Sequence, residues 1–178
     1  PAIPPGTALQ LSNGTTVRYA QLFKCEQVLR SDCNRGVSGI EGSTSTAAGA
    51  ACVGEEMTVL ITGDMSFSYD VNGLSSTYLS PRFKIIVMCN GGGGIFRFIK
   101  PTSDLPELET CFEIHRDISV EKYADLFGLR YFELNDEKSA AEVLSLFFAE
   151  KDRPAILAVH TPNVYNAEVL RGYFRRSR

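Results

Sequence analysis

Four short apolar runs, three of them rich in β-branched residues and none read as alternating with polar positions, constrain this chain more than any other feature. Met57 to Thr62, Lys84 to Cys89, Arg130 to Leu134 and Pro154 to Val159 each carry apolar side chains at successive positions. A strand with one face in water alternates; a strand covered on both faces does not. Between and around these runs lie helical patterns at Thr15–Phe23, Ser45–Val53, Met65–Ser76, Val120–Phe127, Ser139–Ala149 and Ala167–Phe174. Ser12 and Asn13 are placed to cap the first, and Asn166 to cap the last. Strands alternating with helices imply right-handed crossovers, hence an α/β fold with a mainly parallel sheet and helices on both faces.

The rest of the composition narrows the class. Acidic and basic residues are interspersed, the net charge is −3, and no basic stripe is interleaved with aromatics, so a nucleic-acid partner is not expected. The five cysteines are odd in number, and no two of them are separated by two residues. That argues against a zinc site or a disulfide framework and for reduced thiols in the cytoplasm. No secretory leader and no bilayer-length apolar run is present. The opening Pro1-Ala2-Ile3-Pro4-Pro5-Gly6 reads as a linker, so residues 1–11 are expected to join a preceding domain and residues 12–178 to form one domain.

In a parallel sheet, ligands bind beyond the carboxyl ends of the strands. Two successive strands end unusually here. The first ends in Gly63-Asp64 and passes directly into Met65-Ser66; the second ends in Asn90, followed by Gly91 to Gly94 and then Ile95-Phe96. One helix plus one strand separates Asp64 from Asn90, so if those strands are neighbours the two side chains share one sheet edge. A carboxylate, an amide oxygen and a nearby backbone carbonyl suit Mg²⁺, which prefers hard oxygen ligands and keeps phosphate in its shell. A helix start beside Asp64 offers unpaired N–H groups to that phosphate, and the glycines let backbone approach a ligand closely. Taken singly, an Asp after a strand is an N-cap, an Asn there is turn chemistry and a glycine run is a loop. The order of the pieces is what points to a magnesium diphosphate site.

That order is similar to the metal and diphosphate motif of thiamine diphosphate enzymes, which begins Gly-Asp and ends at Asn after a crossover. Met65 stands where the usual form has a glycine, and Cys89 where it has the first of two asparagines. A second segment, Asn34-Arg35-Gly36-Val37-Ser38-Gly39-Ile40-Glu41-Gly42, followed by Ser43-Thr44-Ser45-Thr46-Ala47, resembles the signature of the 2-succinyl-5-enolpyruvyl-6-hydroxy-3-cyclohexene-1-carboxylate synthases of menaquinone biosynthesis. Ser12 to Arg18 and Asn90 to Phe96 also resemble segments of that family. The resemblance extends from about Ser12 to the C-terminal helix.

The resemblance implies a thiamine diphosphate-binding fold that takes thiamine diphosphate and Mg²⁺, with Mn²⁺ as an alternative ion. The metal would be held by Asp64, Asn90 and the carbonyl of Gly92. Gly63, Met65 and Ser66 would line the diphosphate, and Ile40 would lie beneath the cofactor and enforce its bent form. Ser38, Gly39 and Gly93 would complete the cofactor's contacts, with Ile95 and Phe96 as an apolar wall. Arg18 and Arg35 would grip the carboxylates of 2-oxoglutarate and isochorismate. The family decarboxylates the first and adds the resulting succinyl carbanion equivalent to the second. It needs a glutamate from the N-terminal domain of a partner subunit in a homo-oligomer. No catalytic residue is expected in this chain, and the domain alone should be inactive. Another thiamine diphosphate carboligase or decarboxylase, and a non-catalytic oligomerisation module, remain as alternatives. His115, His160 and Cys89 are expected to be structural or exposed.

Overall fold

The computed structural model describes residues 2–176; residue 1 and residues 177–178 of the expected domain limits lie outside the described residues. Six strands form one all-parallel sheet: β1 (Ala8–Leu11), β2 (Arg30–Cys33), β3 (Thr58–Gly63), β4 (Phe83–Cys89), β5 (Arg130–Leu134) and β6 (Ala155–His160). Their spatial order is β2-β1-β3-β4-β6-β5. The helices are α1 (Thr15–Ala20), α2 (Ser43–Val53), α3 (Asp64–Tyr69), α4 (Ile95–Phe98), α5 (Val120–Phe127), α6 (Ala140–Ala149) and α7 (Asn163–Arg176).

Side chains of the central strands leave alternately to two cores. Leu60, Ile85, Val87, Ile156 and Ala158 pack with Ala47, Ala48 and Ala51 of α2, Phe67 of α3, and Val120 and Ala124 of α5. Leu9, Leu11, Val59, Ile86 and Leu157 pack on the opposite face with Val17 of α1 and Phe147 of α6. Crossovers stepping from β2 towards β5 use the first face, and those stepping back (β1 to β2, β5 to β6) use the second. A single crossover hand requires that division.

Two strands were not expected. Ala8–Leu11 falls in the stretch read as a linker, yet all four of its residues are buried between β2 and β3. The linker reading of residues 1–11 therefore gives way: the sheet already begins at Ala8. Four residues behind a proline-rich opening are too few to display a run. β2, with the sequence Arg-Ser-Asp-Cys, is a polar edge strand with three of its four residues exposed, so it carries no apolar signal. The C-terminal helix also starts earlier than expected, at Asn163; Asn166 lies inside it and donates from its side chain to Thr161 Oγ1 at 3.0 Å.

Lys84 is the unexpected member of the core. Its residue is fully buried in β4, and its Nζ donates to the carbonyl of Glu150 at 2.7 Å, just past the last turn of α6. Burial pulls its pKa below the usual lysine value, and the charge of Glu150 opposes that pull. A cation at a helix C-terminus satisfies a carbonyl that the helix itself leaves open. Lys84→Ala should lower stability by about 2–4 kcal/mol, through the orphaned carbonyl and the cavity, and Lys84→Met by less, because the stem is kept. Urea denaturation midpoints check this ordering; a Met variant as unstable as the Ala variant would assign the loss to the hydrogen bond alone.

Candidate functional site

β3 and β4 pair in parallel with Gly63 opposite Met88, so the chain leaves both strands at the same height. Asp64 begins α3 and is 3% exposed. Its Oδ2 accepts from the backbone N–H groups of Asn90 at 2.9 Å and Gly91 at 2.7 Å, and its Oδ1 accepts from Met65 N–H at 2.7 Å. Burial raises the Asp64 pKa, while these backbone donors stabilise the carboxylate and oppose the rise.

The inward-facing amide atom of Asn90 lies 3.0 Å from the Gly92 carbonyl oxygen and 3.3 Å from Asp64 Oδ1. An octahedral shell at ~2.0–2.1 Å places neighbouring ligand oxygens about 2.9 Å apart. With the Asn90 oxygen turned inward, it lies about that far from the Gly92 carbonyl oxygen and somewhat farther from Asp64 Oδ1, so a carboxylate, an amide and a carbonyl oxygen are gathered at the tips of β3 and β4. The donor set, one carboxylate and two neutral oxygens, fits a small hard divalent cation. Among the described residues no group of three His, Cys, Asp or Glu side chains is placed to hold a metal, so a softer ion has no competing cage.

The glycine run is packed rather than loose. Gly93 N–H donates to the Glu113 carbonyl at 2.8 Å, and Arg116 N–H to the Gly91 carbonyl at 3.1 Å. A Cβ on Gly92 would collide with the Glu113 carbonyl, and one on Gly91, where φ is +80°, would sit 2.6 Å from the His115 ring. Beside the three oxygens opens a cleft of about 570 Å³ lined by Asp64, Asn90, Gly91, His115, Arg116 and His160. His115 and Arg116, given no role in the sequence reading, flank the carboxylate. Only the segment's return across the glycines puts them there.

Two kinds of comparison bear on this geometry. Residues 13–159 match the family model described as "Thiamine pyrophosphate enzyme, C-terminal TPP binding domain". The chain belongs to that family. A curated 2-succinyl-5-enolpyruvyl-6-hydroxy-3-cyclohexene-1-carboxylate synthase of Porphyromonas gingivalis is 47% identical over 97% of this chain. Proteins of the same name from Flavobacterium johnsoniae and Christiangramia forsetii are 42% and 41% identical over 98% and 97% of it. The chain spans about 30% of the length of these relatives.

The thiamine pyrophosphate domain organises its second motif around a residue that sequence reasoning misplaced. Asn13 does not cap α1; Gly14 occupies that position and no side chain caps the helix. Asn13 is instead buried at the end of β1, where its Nδ2 donates to the carbonyls of Asn34 at 2.8 Å and Gly39 at 2.7 Å. Its Oδ1 accepts from Arg35 Nη1 at 2.8 Å. One amide thereby fastens the Asn34–Gly42 segment to the sheet. At the segment's other end Asn34 Nδ2 donates to Thr46 Oγ1 at 3.0 Å and to the Gly42 carbonyl at 3.2 Å, on the first turn of α2. Ser38 turns the segment at φ +65°, and the Ser66 hydroxyl donates to the Ile40 carbonyl, which joins the segment to α3.

These bonds bring Ser38, Gly39, Ile40, Arg35, Gly63, Met65 and Ser66 to the same end of the sheet as Asp64 and Asn90. Ile40 keeps 37% of its surface exposed. Arg18 lies on α1 and donates to the Gly14 carbonyl at 2.6 Å. Ile95 and Phe96 are not brought to the cleft beside Asp64; Phe96 packs on Phe112 with ring centroids 5.5 Å apart. Burial, with the Asp64 charge, pushes the Cys89 thiol up to about 12, which disfavours its thiolate.

Two outcomes follow from this geometry. At pH 8 the Cys89 thiol stays protonated, so it should react with iodoacetamide at least about tenfold more slowly than the exposed Cys52 and Cys111; peptide mapping of a time course reads this. Asn13→Ala should raise amide hydrogen exchange across residues 34–42 and cost roughly 1–3 kcal/mol, with β3 and β4 still protected.

Proposed function

We propose that this chain is the cofactor-binding domain of a 2-succinyl-5-enolpyruvyl-6-hydroxy-3-cyclohexene-1-carboxylate synthase. It would hold thiamine diphosphate through a Mg²⁺ ion gripped by Asp64, Asn90 and the Gly92 carbonyl. The Asn90 amide position, 3.0 Å from the Gly92 carbonyl oxygen and 3.3 Å from Asp64 Oδ1, is the observation that carries the metal assignment, because it gathers a hard oxygen donor set. Mn²⁺, with the same oxygen preference, serves as its probe. The synthase assignment rests on the names of the relatives and on the Asn34–Gly42 segment.

Bound thiamine diphosphate supplies the electron sink that lets a 2-oxo acid lose CO₂. This chain's residues do the holding. Asp64, locked by three backbone donors, is a charged ligand that needs no reorganisation when the ion arrives. Ile40, tied down through its carbonyl by Ser66, presents its side chain as a fixed apolar support. Arg35 has one guanidinium nitrogen committed to Asn13, which aims the rest of the fork, and a fork grips a carboxylate at two points. Arg18 is a second such group from α1. The substrates would be 2-oxoglutarate and isochorismate. The acid–base glutamate comes from an N-terminal domain of a partner subunit, within a homo-oligomer in the cytoplasm. Among the described residues no helix is long and apolar enough to cross a membrane.

Asp64→Ala in the full-length protein should weaken Mg²⁺-dependent retention of thiamine diphosphate by more than the ~100-fold that loss of an outer-shell partner causes. Equilibrium dialysis of the cofactor measures this, and unchanged retention would refute the metal assignment. Arg35→Lys, which keeps the charge and loses the fork, should raise the KM for substrate while leaving cofactor retention intact. A protein that turns over a different 2-oxo acid, and not 2-oxoglutarate with isochorismate, would belong to another carboligase.

A further inference from the structure

Asn90 faces a choice that a carboxylate ligand would not. Its amide has two orientations related by a half-turn, and they are not equivalent at the cation position. With nitrogen inward it donates to the Gly92 carbonyl at 3.0 Å and to Asp64 Oδ1 at 3.3 Å, closing the site with its own hydrogens. With oxygen inward that oxygen faces only acceptors until a cation arrives, and the nitrogen turns outward, to Asn163 Oδ1 at 3.4 Å. Resting on the metal reading above, we propose that Glu113 and Asn163 are positioning residues that hold the Asn90 amide with its oxygen turned to the cation.

The orientation is set by a group that cannot be ambiguous. Glu113 is 5% exposed and gripped from one side by Arg97, with Nε on its Oε1 at 2.7 Å and Nη2 on its Oε2. Arg97 in turn meets Glu109 at 2.9 Å, and its carbonyl accepts from Arg171 of α7. The paired carboxylates hold the guanidinium charged, its pKa raised above the usual arginine value. An ionised carboxylate only accepts. Asn163 must therefore turn its nitrogen to Glu113 Oε1, which it does at 2.8 Å, and so presents its oxygen to Asn90. The Asn90 nitrogen gains an acceptor outside the site, and its oxygen is left for the ion. Side chains 73 residues apart in sequence meet because α7 starts directly beyond β6, the neighbour of β4.

Gly94 supplies an independent sign that this amide pair is built in. Its φ is −54°, a conformation open to every residue, so its backbone gives no reason for glycine. A Cβ there, however, would collide with Asn163 Oδ1 and lie 2.6 Å from Asn90 Nδ2. Glycine at 94 keeps clear the space through which the two amides meet.

Without this relay the oxygen-inward state is less populated, and apparent metal affinity falls with that fraction. The test is Mn²⁺ affinity, read by electron paramagnetic resonance on the full-length protein with thiamine diphosphate present. Asn163→Ala and Gly94→Ala should each raise the Mn²⁺ Kd by about 10–100-fold. In an Asn90→Asp background either side-chain oxygen can face the ion, so adding Asn163→Ala should not weaken binding further. A merely structural role would weaken both backgrounds by the same factor. That result, or a Kd within twofold of wild type for both single variants, overturns the proposal. Asp64→Ala distinguishes the two levels: if it abolishes Mn²⁺ binding while Asn163→Ala and Gly94→Ala do not affect it, the relay alone fails. If Asp64→Ala also leaves binding unchanged, the metal reading fails and the relay with it.

Discussion

One carboxylate holds the working end of this molecule together. Asp64 takes backbone hydrogen bonds from Met65 in its own helix and from Asn90 and Gly91 beyond the next strand. Those three donors tie the tips of β3 and β4 into one object before any ligand is considered. The charge is buried, and it is tolerable there because backbone dipoles, with a smaller contribution from His115, compensate it. The same bonds fix where the Gly92 carbonyl and the Asn90 side chain emerge, so the proposed cation position would be inherited from the strand pairing. A strand register shifted by one residue would separate these groups.

Three asparagines carry most of the remaining organisation. Asn13 binds the Asn34–Gly42 segment to β1, Asn90 lies at the tip of β4, and Asn163 opens α7 beyond β6. Each amide offers a donor and an acceptor on a short stem, so each can bridge two neighbours and take its orientation from them. Arginine and glutamate serve as the fixed references: Arg35 meets the oxygen of Asn13, and Glu113 the nitrogen of Asn163. Buried polar networks of this kind specify one arrangement only when every member has its partner.

Much of this was legible along the chain, for identifiable reasons. β5 and α5 have the bounds their sequence predicts, because Ser119 caps the helix through Lys122 N–H and Gly128 ends it at φ +69°. Asp64 and Asn90 could be paired because a single crossover in a parallel sheet has a characteristic length. The Asn34–Gly42 segment was legible as a resemblance, while its attachment to the sheet was not. β1 and β2 were hidden, the first by brevity and the second by polarity. Asn13 had a plausible local role as a cap, and only burial reveals its distant one. Glu113, Asn163 and Lys84 left no trace, since a lone polar residue gains meaning from neighbours dozens of positions away.

The edge strands, finally, decide where this sheet can grow. β2 shows Arg30 and Asp32 to solvent, and Arg30 is bound to Asp32 at 3.1 Å and to Glu56 at 2.8 Å. The opposite margin, β5, carries the exposed Arg130 and Glu133. An incoming strand would have to strip or bury these charges at either border, which penalises augmentation. The carboxyl-end rim, with its glycine run and the open cleft beside Asp64, presents loops and helix starts instead of a strand edge, so it is free of that constraint.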